Sequence, residues 1–293
     1  MNEIVVDPVA APSNGSMPTI ALALGAGGAR GLAHIPVLEA LDEMGLEPVA
    51  IAGASMGAII GAGRAAGLSG LAMRDYAIET IGKRGTIANR LWSLGPGSMR
   101  DALGGLRIGQ FNLERILEAF LPPEIPSEFA ELKIPLTVIA TDYYGQCEAV
   151  LTDGKLHEAL AASAAIPALF MPVRLNGRVM IDGGLFNPVP YEHLRAAADI
   201  VIGVDVIGGP EGDGTTTPTR MESLFGATQL MMLSAMQLKL QLGRPDIFLR
   251  PPVNAFGVLD FLKARQVLEA TEGVKDELKR ELETAIEARI KAG

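Results

Sequence analysis

The chain has 293 residues, of which 48% are apolar and 20% charged, with a net charge of −9. That length can bury a sizeable core, and the composition is that of a globular chain rather than a disordered one. A lone cysteine, Cys147, excludes an internal disulfide and a cysteine-built zinc site; three histidines without an H-E-x-x-H spacing give no zinc-protease signature; and the acidic balance argues against nucleic acid as a partner.

Residues 1–18 lack a basic stretch followed by a long apolar core. They read as a flexible leader to one domain over 19–293, and the chain reads as cytoplasmic, with peripheral contact to a membrane left open. Short apolar runs then alternate with helical periodicity, the pattern of an α/β fold. Residues 19–24 predict a buried strand, 25–31 a glycine-rich turn, and 32–44 a helix with Leu32, Ile35, Leu38, Leu41 and Met44 on one face. Pro36 falls in the first turns of that helix, where a missing N–H costs least. A strand over 48–52 precedes a sharp turn from Gly53 to Gly57 and a helix of small residues from Ala58.

Residues 82–107 read as a loop or broken helix. Lys83, Arg84, Arg90, Arg100 and Arg107 face Asp101 alone there, around the only tryptophan, Trp92. That combination suits a lid or lipid-facing segment as well as an ordinary surface loop. Helices are expected at 112–121 and 156–163, and strands at 134–141, 178–182, 199–206 and 247–250. A polar loop spans 208–219. The helix over 221–242 carries Met221, Met231, Met232 and Met236, which fit a core helix, an interface in a homodimer, or an acyl-chain wall. Residues 260–291 are expected to be helical, with alternating Glu, Lys and Arg towards the end on a solvated face.

Three features could carry chemistry. Gly53-Ala54-Ser55-Met56-Gly57 is a G-x-S-x-G sequence between a predicted strand and helix, either a plain tight turn or an elbow that exposes a serine hydroxyl. Ala26-Gly27-Gly28-Ala29-Arg30-Gly31 follows the first strand, and its successive amides could cradle a pyrophosphate or an oxyanion. Arg30 breaks the G-x-G-x-x-G spacing from Gly25, and no acidic residue closes the next strand, which argues against a dinucleotide. Asp182-Gly183-Gly184 closes a short strand and, taken alone, reads as a turn.

In this order, the three features resemble the patatin-like phospholipase family, in its bacterial single-domain branch. The blocks LALGAGGARGLAHIPVLEAL, IAGASMGAIIGA, ALAASAAIPALF, MIDGGLFNPVP, DIVIGVDV and PDIFLRPP…DFLKARQVLEA carry the resemblance across roughly residues 19–275. It implies a three-layer α/β/α sandwich around a mostly parallel sheet. It also implies a lipid acyl ester hydrolase (phospholipase- or lysophospholipase-like) acting on a lipid or small ester through an acyl-enzyme. Ser55 would be the nucleophile and Asp182 its base. The amides of Gly27, Gly28 and Ala29 would form an oxyanion hole with Arg30 nearby, and Gly31, Gly53, Gly57, Gly183 and Gly184 would support the motifs. No cofactor or metal is implied. Ala26 and Pro36 stand where the family has glycine.

A weak hydroxyl nucleophile needs an adjacent base, and a desolvated carboxylate can be one. His34 reads as structural and His157 as an exposed or capping residue. His193 follows Asp182 and keeps open an ordinary Ser-Asp-His triad. A non-catalytic protein that senses acyl ligands is a further alternative, although it would not need all three motifs.

Overall fold

The computed structural model describes residues 17–83 and 113–292. The leader through residue 16 and the Trp92 segment from Arg84 onward lie outside the described residues. Parallel strands β1 (Ile20–Leu24), β2 (Ala50–Ala54), β3 (Leu136–Asp142), β7 (Ile200–Val204) and β8 (Ile247–Leu249) run in the order β3-β2-β1-β7-β8. Antiparallel strands β4 (Cys147–Leu151), β5 (Val173–Leu175) and β6 (Arg178–Asp182) extend the sheet beyond β3. The sheet is therefore mixed and mostly parallel, between helical layers.

Side-chain size alternates along the central strands, as a pleat of period two requires. Ile20, Leu22 and Leu24 face a thick layer that includes α1 (His34–Glu43), α2 (Met56–Ala65) and α3 (Gly70–Thr80). Four further helices join it: α4 (Leu113–Phe120), α5 (Leu156–Ser163), α7 (Ala264–Ala270) and α8 (Val274–Ala292). Ala21, Ala23 and Ala52 face the other way, towards Tyr191, Leu194 and Met236 of α6 (Arg220–Leu242). Alanine on that face lets a thinner layer approach the sheet closely. Thr219 and Glu222 start α6 with a reciprocal capping box. Among the described residues no helix is long and apolar enough to cross a membrane.

Several elements depart from the sequence reading. The glycine-rich turn tightens into a 3-10 helix over Gly28–Ala33 before α1 begins at His34. The turn at the G-x-S-x-G sequence is narrower than expected, because β2 runs to Ala54 and α2 starts at Met56. The expected 260–291 helix is split between α7 and α8, where Thr271 turns its buried hydroxyl onto the Val267 carbonyl. Helix α3 and strands β4 and β5 are additional.

One detail of the sheet positions everything that follows. β4 occupies one edge of β3, and β2 and β6 share the other. β2 runs parallel to β3 and ends with Ala54 opposite Ile139. β6 runs antiparallel and ends with Asp182 opposite Ala140. The carboxyl ends of two strands thus meet head to head along β3.

Candidate active site

Ser55 leaves β2 with φ 53° and ψ −122°, in a backbone region that glycine tolerates and serine does not. The strained turn aims its hydroxyl across the strand junction. Ser55 Oγ donates to Asp182 Oδ2 at 2.6 Å, although 127 residues separate the two. Both are almost fully buried. The Gly184 amide donates to Asp182 Oδ1 at 2.8 Å, and Thr141 Oγ1 donates to the Asp182 carbonyl at 2.8 Å, so the carboxylate plane and its strand end are both held. Burial raises the Asp182 pKa to about 6, against the lowering effect of the Ser55 and Gly184 hydrogen bonds. Among the described residues no cation contacts the carboxylate.

Close approach explains Gly57. A Cβ there would collide with the Leu24 and Gly25 carbonyls, so the oxyanion-type loop can lie on α2 only over a glycine. Gly53 sits in β2 opposite Leu24, Gly31 lies against Met56, and Gly183 and Gly184 form the 3-10 turn after β6. The Ala26 methyl occupies space that Gly184 leaves empty, so glycine is not needed at position 26.

The loop amides divide into two pairs. Gly28 adopts φ +57°, and no partner is recorded for the Gly27 and Gly28 amides among the described residues. Ala29 donates its amide to the Val258 carbonyl at 2.8 Å, and Arg30 donates its own to Gly27 at 3.3 Å. Arg30 is buried and turns its guanidinium away, to the Phe256 carbonyl at 2.6 Å and the Ile207 carbonyl at 2.5 Å. It clasps the loop to two neighbouring segments.

The histidines stand apart from this centre. His34 is fully buried and donates through Nε2 to the Gly25 carbonyl at 2.8 Å. Desolvation pulls its pKa down to about 4, so it is neutral. His157 reaches the Ile125 carbonyl at 3.3 Å. His193, the alternative base, is held by Glu148 at 3.1 Å and does not come to Ser55, whose hydroxyl already donates to Asp182. Glu148, Glu192 and His193 bring ligand atoms close together, yet the Lys239 ammonium lies 2.5 Å from Glu192 and already supplies positive charge there.

Two cavities meet at Ser55. The larger, of about 390 Å³, is lined almost wholly by apolar groups, among them residues of α2, α3 and α4 together with Leu259 and Phe261. Ser55, Met56, Ile59, Ile60 and Gly63 line it in succession, so it follows α2 for eight residues, or about 12 Å at the helical rise. The smaller, of about 100 Å³, contains Gly27, Gly28, Ser55 and Asp182, and is closed by Leu224, Phe225 and Met232 of α6. Met232 therefore lines a cavity, whereas Met236 is core and Met231 is exposed.

The patatin-like phospholipase model matches residues 22–195, a span that holds the loop, the serine turn and Asp182. The chain belongs to the patatin-like phospholipase family. This patatin-like chain is 38% identical over 198 residues to an NTE family protein of Mycobacterium tuberculosis, covering 67% of this chain and 51% of that one. It is 27% identical over 274 residues to lysophospholipase NTE1 of Yarrowia lipolytica, covering 83% of this chain and 18% of that protein. The patatin-like chain thus spans about half the length of the mycobacterial relative and less of the yeast one. Among solved structures, VipD of Legionella pneumophila superposes with a TM-score of 0.50 at 15% identity, over 92% of this chain and 67% of that one, a likeness of fold.

Sequence reasoning gave no role to Ser163. Its hydroxyl is fully buried and contacts the Ser55 amide. The available signal was a lone hydroxyl in the run from Leu160 to Ile166, where every neighbour is apolar.

Proposed function

We propose that the chain is a lipid acyl ester hydrolase that uses Ser55 as nucleophile and Asp182 as base. The observation that carries this reading is the 2.6 Å hydrogen bond from Ser55 Oγ to a buried carboxylate at the meeting point of two cavities. Asp182 takes the hydroxyl proton as Oγ attacks the ester carbonyl carbon. The Gly27 and Gly28 amides face the developing oxyanion; the Ala29 amide is already committed to Val258. The positive end of α2, which begins at Met56, favours the same charge. The tetrahedral species collapses, Asp182 returns the proton to the departing alcohol oxygen, and the acyl group stays on Ser55. Water then attacks the acyl-enzyme with Asp182 again as base, which frees the acid and restores the hydroxyl.

The cavities support a division of the substrate. The 390 Å³ apolar cavity suits an acyl chain, and each methylene it buries contributes about 0.8 kcal/mol. The 100 Å³ cavity holds the alcohol side and is too small for a second long chain. This favours single-chain esters such as lysophospholipids, in keeping with the name of the yeast relative. Substrates of this kind reside at or near membranes, so the enzyme works in peripheral contact with a lipid surface.

The test is hydrolysis of chromogenic esters by wild type, Ser55→Ala and Asp182→Asn, together with labelling by a fluorophosphonate. We expect label on Ser55 and loss of turnover in both variants. Equal rates in all three proteins would overturn the reading, and binding of acyl ligands without turnover would favour the sensing alternative. Ala77→Leu, on the cavity wall, is expected to lower kcat/KM for a long-chain ester about tenfold and leave a butyrate ester nearly unchanged.

A further inference from the structure

Ser163 is the last residue of α5 and has no accessible surface. Its hydroxyl makes two bonds whose directions are fixed by chemistry. It accepts from the Ser55 amide at 2.8 Å, because an N–H can only donate. It donates to the Ile139 carbonyl at 2.5 Å, because a carbonyl can only accept.

These two partners are not arbitrary. In the β2–β3 ladder the Ile51 amide donates to the Pro135 carbonyl. A parallel ladder repeats every two residues along each strand, so the rung two residues beyond Gly53 would join the Ser55 amide to the Ile139 carbonyl. The Ser163 hydroxyl stands between those two groups. It replaces a backbone rung with a side-chain bridge and satisfies both ends.

We infer that Ser163 is the positioning residue of the nucleophile: its hydroxyl, inserted into the last rung of the β2–β3 ladder, diverts Ser55 from the strand into the elbow that faces Asp182. The inference rests on Ser55 being the nucleophile. Without the inserted hydroxyl, the Ser55 amide can close directly on Ile139, and the chain regains an extended conformation that carries Oγ away from the carboxylate. Ser163 is absent from the lining of both cavities, and its hydroxyl bonds to Ser55 and Ile139 rather than to Asp182, so its effect is on the placement of Ser55.

The experiment compares wild type, Ser163→Ala and Ser163→Thr. Ser163→Ala is expected to lower kcat and the rate of Ser55 labelling about 100-fold, the usual consequence of a displaced nucleophile. KM for a short-chain ester should stay within about twofold, and the acid limb of the pH profile should stay in place, because cavity walls and Asp182 are untouched. A merely structural loss would lower the folded fraction and leave the labelling rate of folded protein unchanged. Ser163→Thr keeps the hydroxyl and should restore most of the rate; Ser163→Cys replaces it if the added methyl prevents folding. Wild-type labelling rates in folded Ser163→Ala would overturn the proposal. A crystal structure of Ser163→Ala gives a readout independent of catalysis: a direct bond from the residue 55 amide to the Ile139 carbonyl supports the inference, and an unchanged positive φ at Ser55 overturns it. Absence of label on Ser55 in the wild type would instead strike the catalytic reading, and the crystal structure would still decide the role of Ser163.

Discussion

Glu39 and Asp182 are both buried carboxylates on the same sheet-and-helix framework, and they have been given opposite chemistry. Glu39 lies on α1 between two cations. Arg74 of α3 grips it with Nε and Nη2 at 2.5 and 2.6 Å, and Lys275 of α8 approaches to 2.7 Å. Burial alone would raise its pKa, but the two cations outweigh burial and hold it below the ordinary range. Asp182 is desolvated as well, but among the described residues its carboxylate receives only a hydroxyl and an amide, and its pKa rises to about 6. Burial is common to both sites, and the partners decide whether the pKa of a buried carboxylate falls or rises.

The largest way to test that contrast is to remove the charge of Asp182. Asp182→Asn keeps an acceptor oxygen for the Gly184 amide but presents an NH2 to Ser55 Oγ and cannot take a proton, and we expect kcat to fall by about 10³-fold or more in an ester assay. The same property shapes the pH profile of the wild type. Only the ionised carboxylate is a base, so kcat/KM should rise with pH through about 6 and then level off. A profile that stays flat down to pH 4 would break the comparison.

Stability should separate the two carboxylates by sign. The folded pKa of Asp182 lies above its unfolded value of 3.8, so the folded state retains a proton that the unfolded state has released. Stability therefore declines as pH rises from 3.8 to about 6, a cost of about 3 kcal/mol that is fully present above pH 6. Asp182→Asn should raise Tm by about 5 °C at pH 8 and have no such effect below pH 3.8. Glu39 behaves in the reverse sense. Its contribution is present above the unfolded value of 4.5 and is lost as pH falls through the lower folded value. Glu39→Gln should cost about 2 kcal/mol at pH 7, less in acid, and leave kcat unchanged. Thermal melts of both variants across pH 3–8 check the pair.

His193 supplies the smallest effect. Glu148 raises its pKa by hydrogen bonding, so the pair is a clamp of the Glu39 kind. His193→Ala should leave ester hydrolysis within about twofold and cost about 1 kcal/mol near pH 6. The loss should fade as pH rises past the folded pKa of His193, since a raised histidine contributes below its unfolded value and ceases to do so above the folded one.

Much of the fold was legible because its signals are local. β1, α5 and β6 follow from apolar runs and helical spacing, and the order of the three motifs placed Ser55 and Asp182 in one resemblance. Elements that depend on distant partners were harder. α3 buries only Gly70, Met73, Ala77 and Thr80, a thin stripe beneath mixed polarity, and its clearest mark is the Ser69 cap on the Ala72 amide. β5 and β6 are joined through Asn176-Gly177, both with positive φ, and an Asn-Gly pair between short strands was a readable hairpin signal. The division of the loop amides was not readable. Ala29 is committed by a carbonyl of Val258, a residue more than 200 positions away, and no local pattern reports such a bond.

The head-to-head strands have a consequence for how such a protein can vary. The separation of Ser55 from Asp182 is measured along β3, from Ile139 to Ala140, and not along the chain between them. The polypeptide leaving β3 can lengthen, shorten or host another module before β6 returns, provided β6 returns to the same register. The Asn176-Gly177 turn, with open space beside Gly177, is a natural place for such growth. Ser55 and Asp182 then keep their spacing while the surrounding architecture diversifies, as carriages keep their gauge on a common rail.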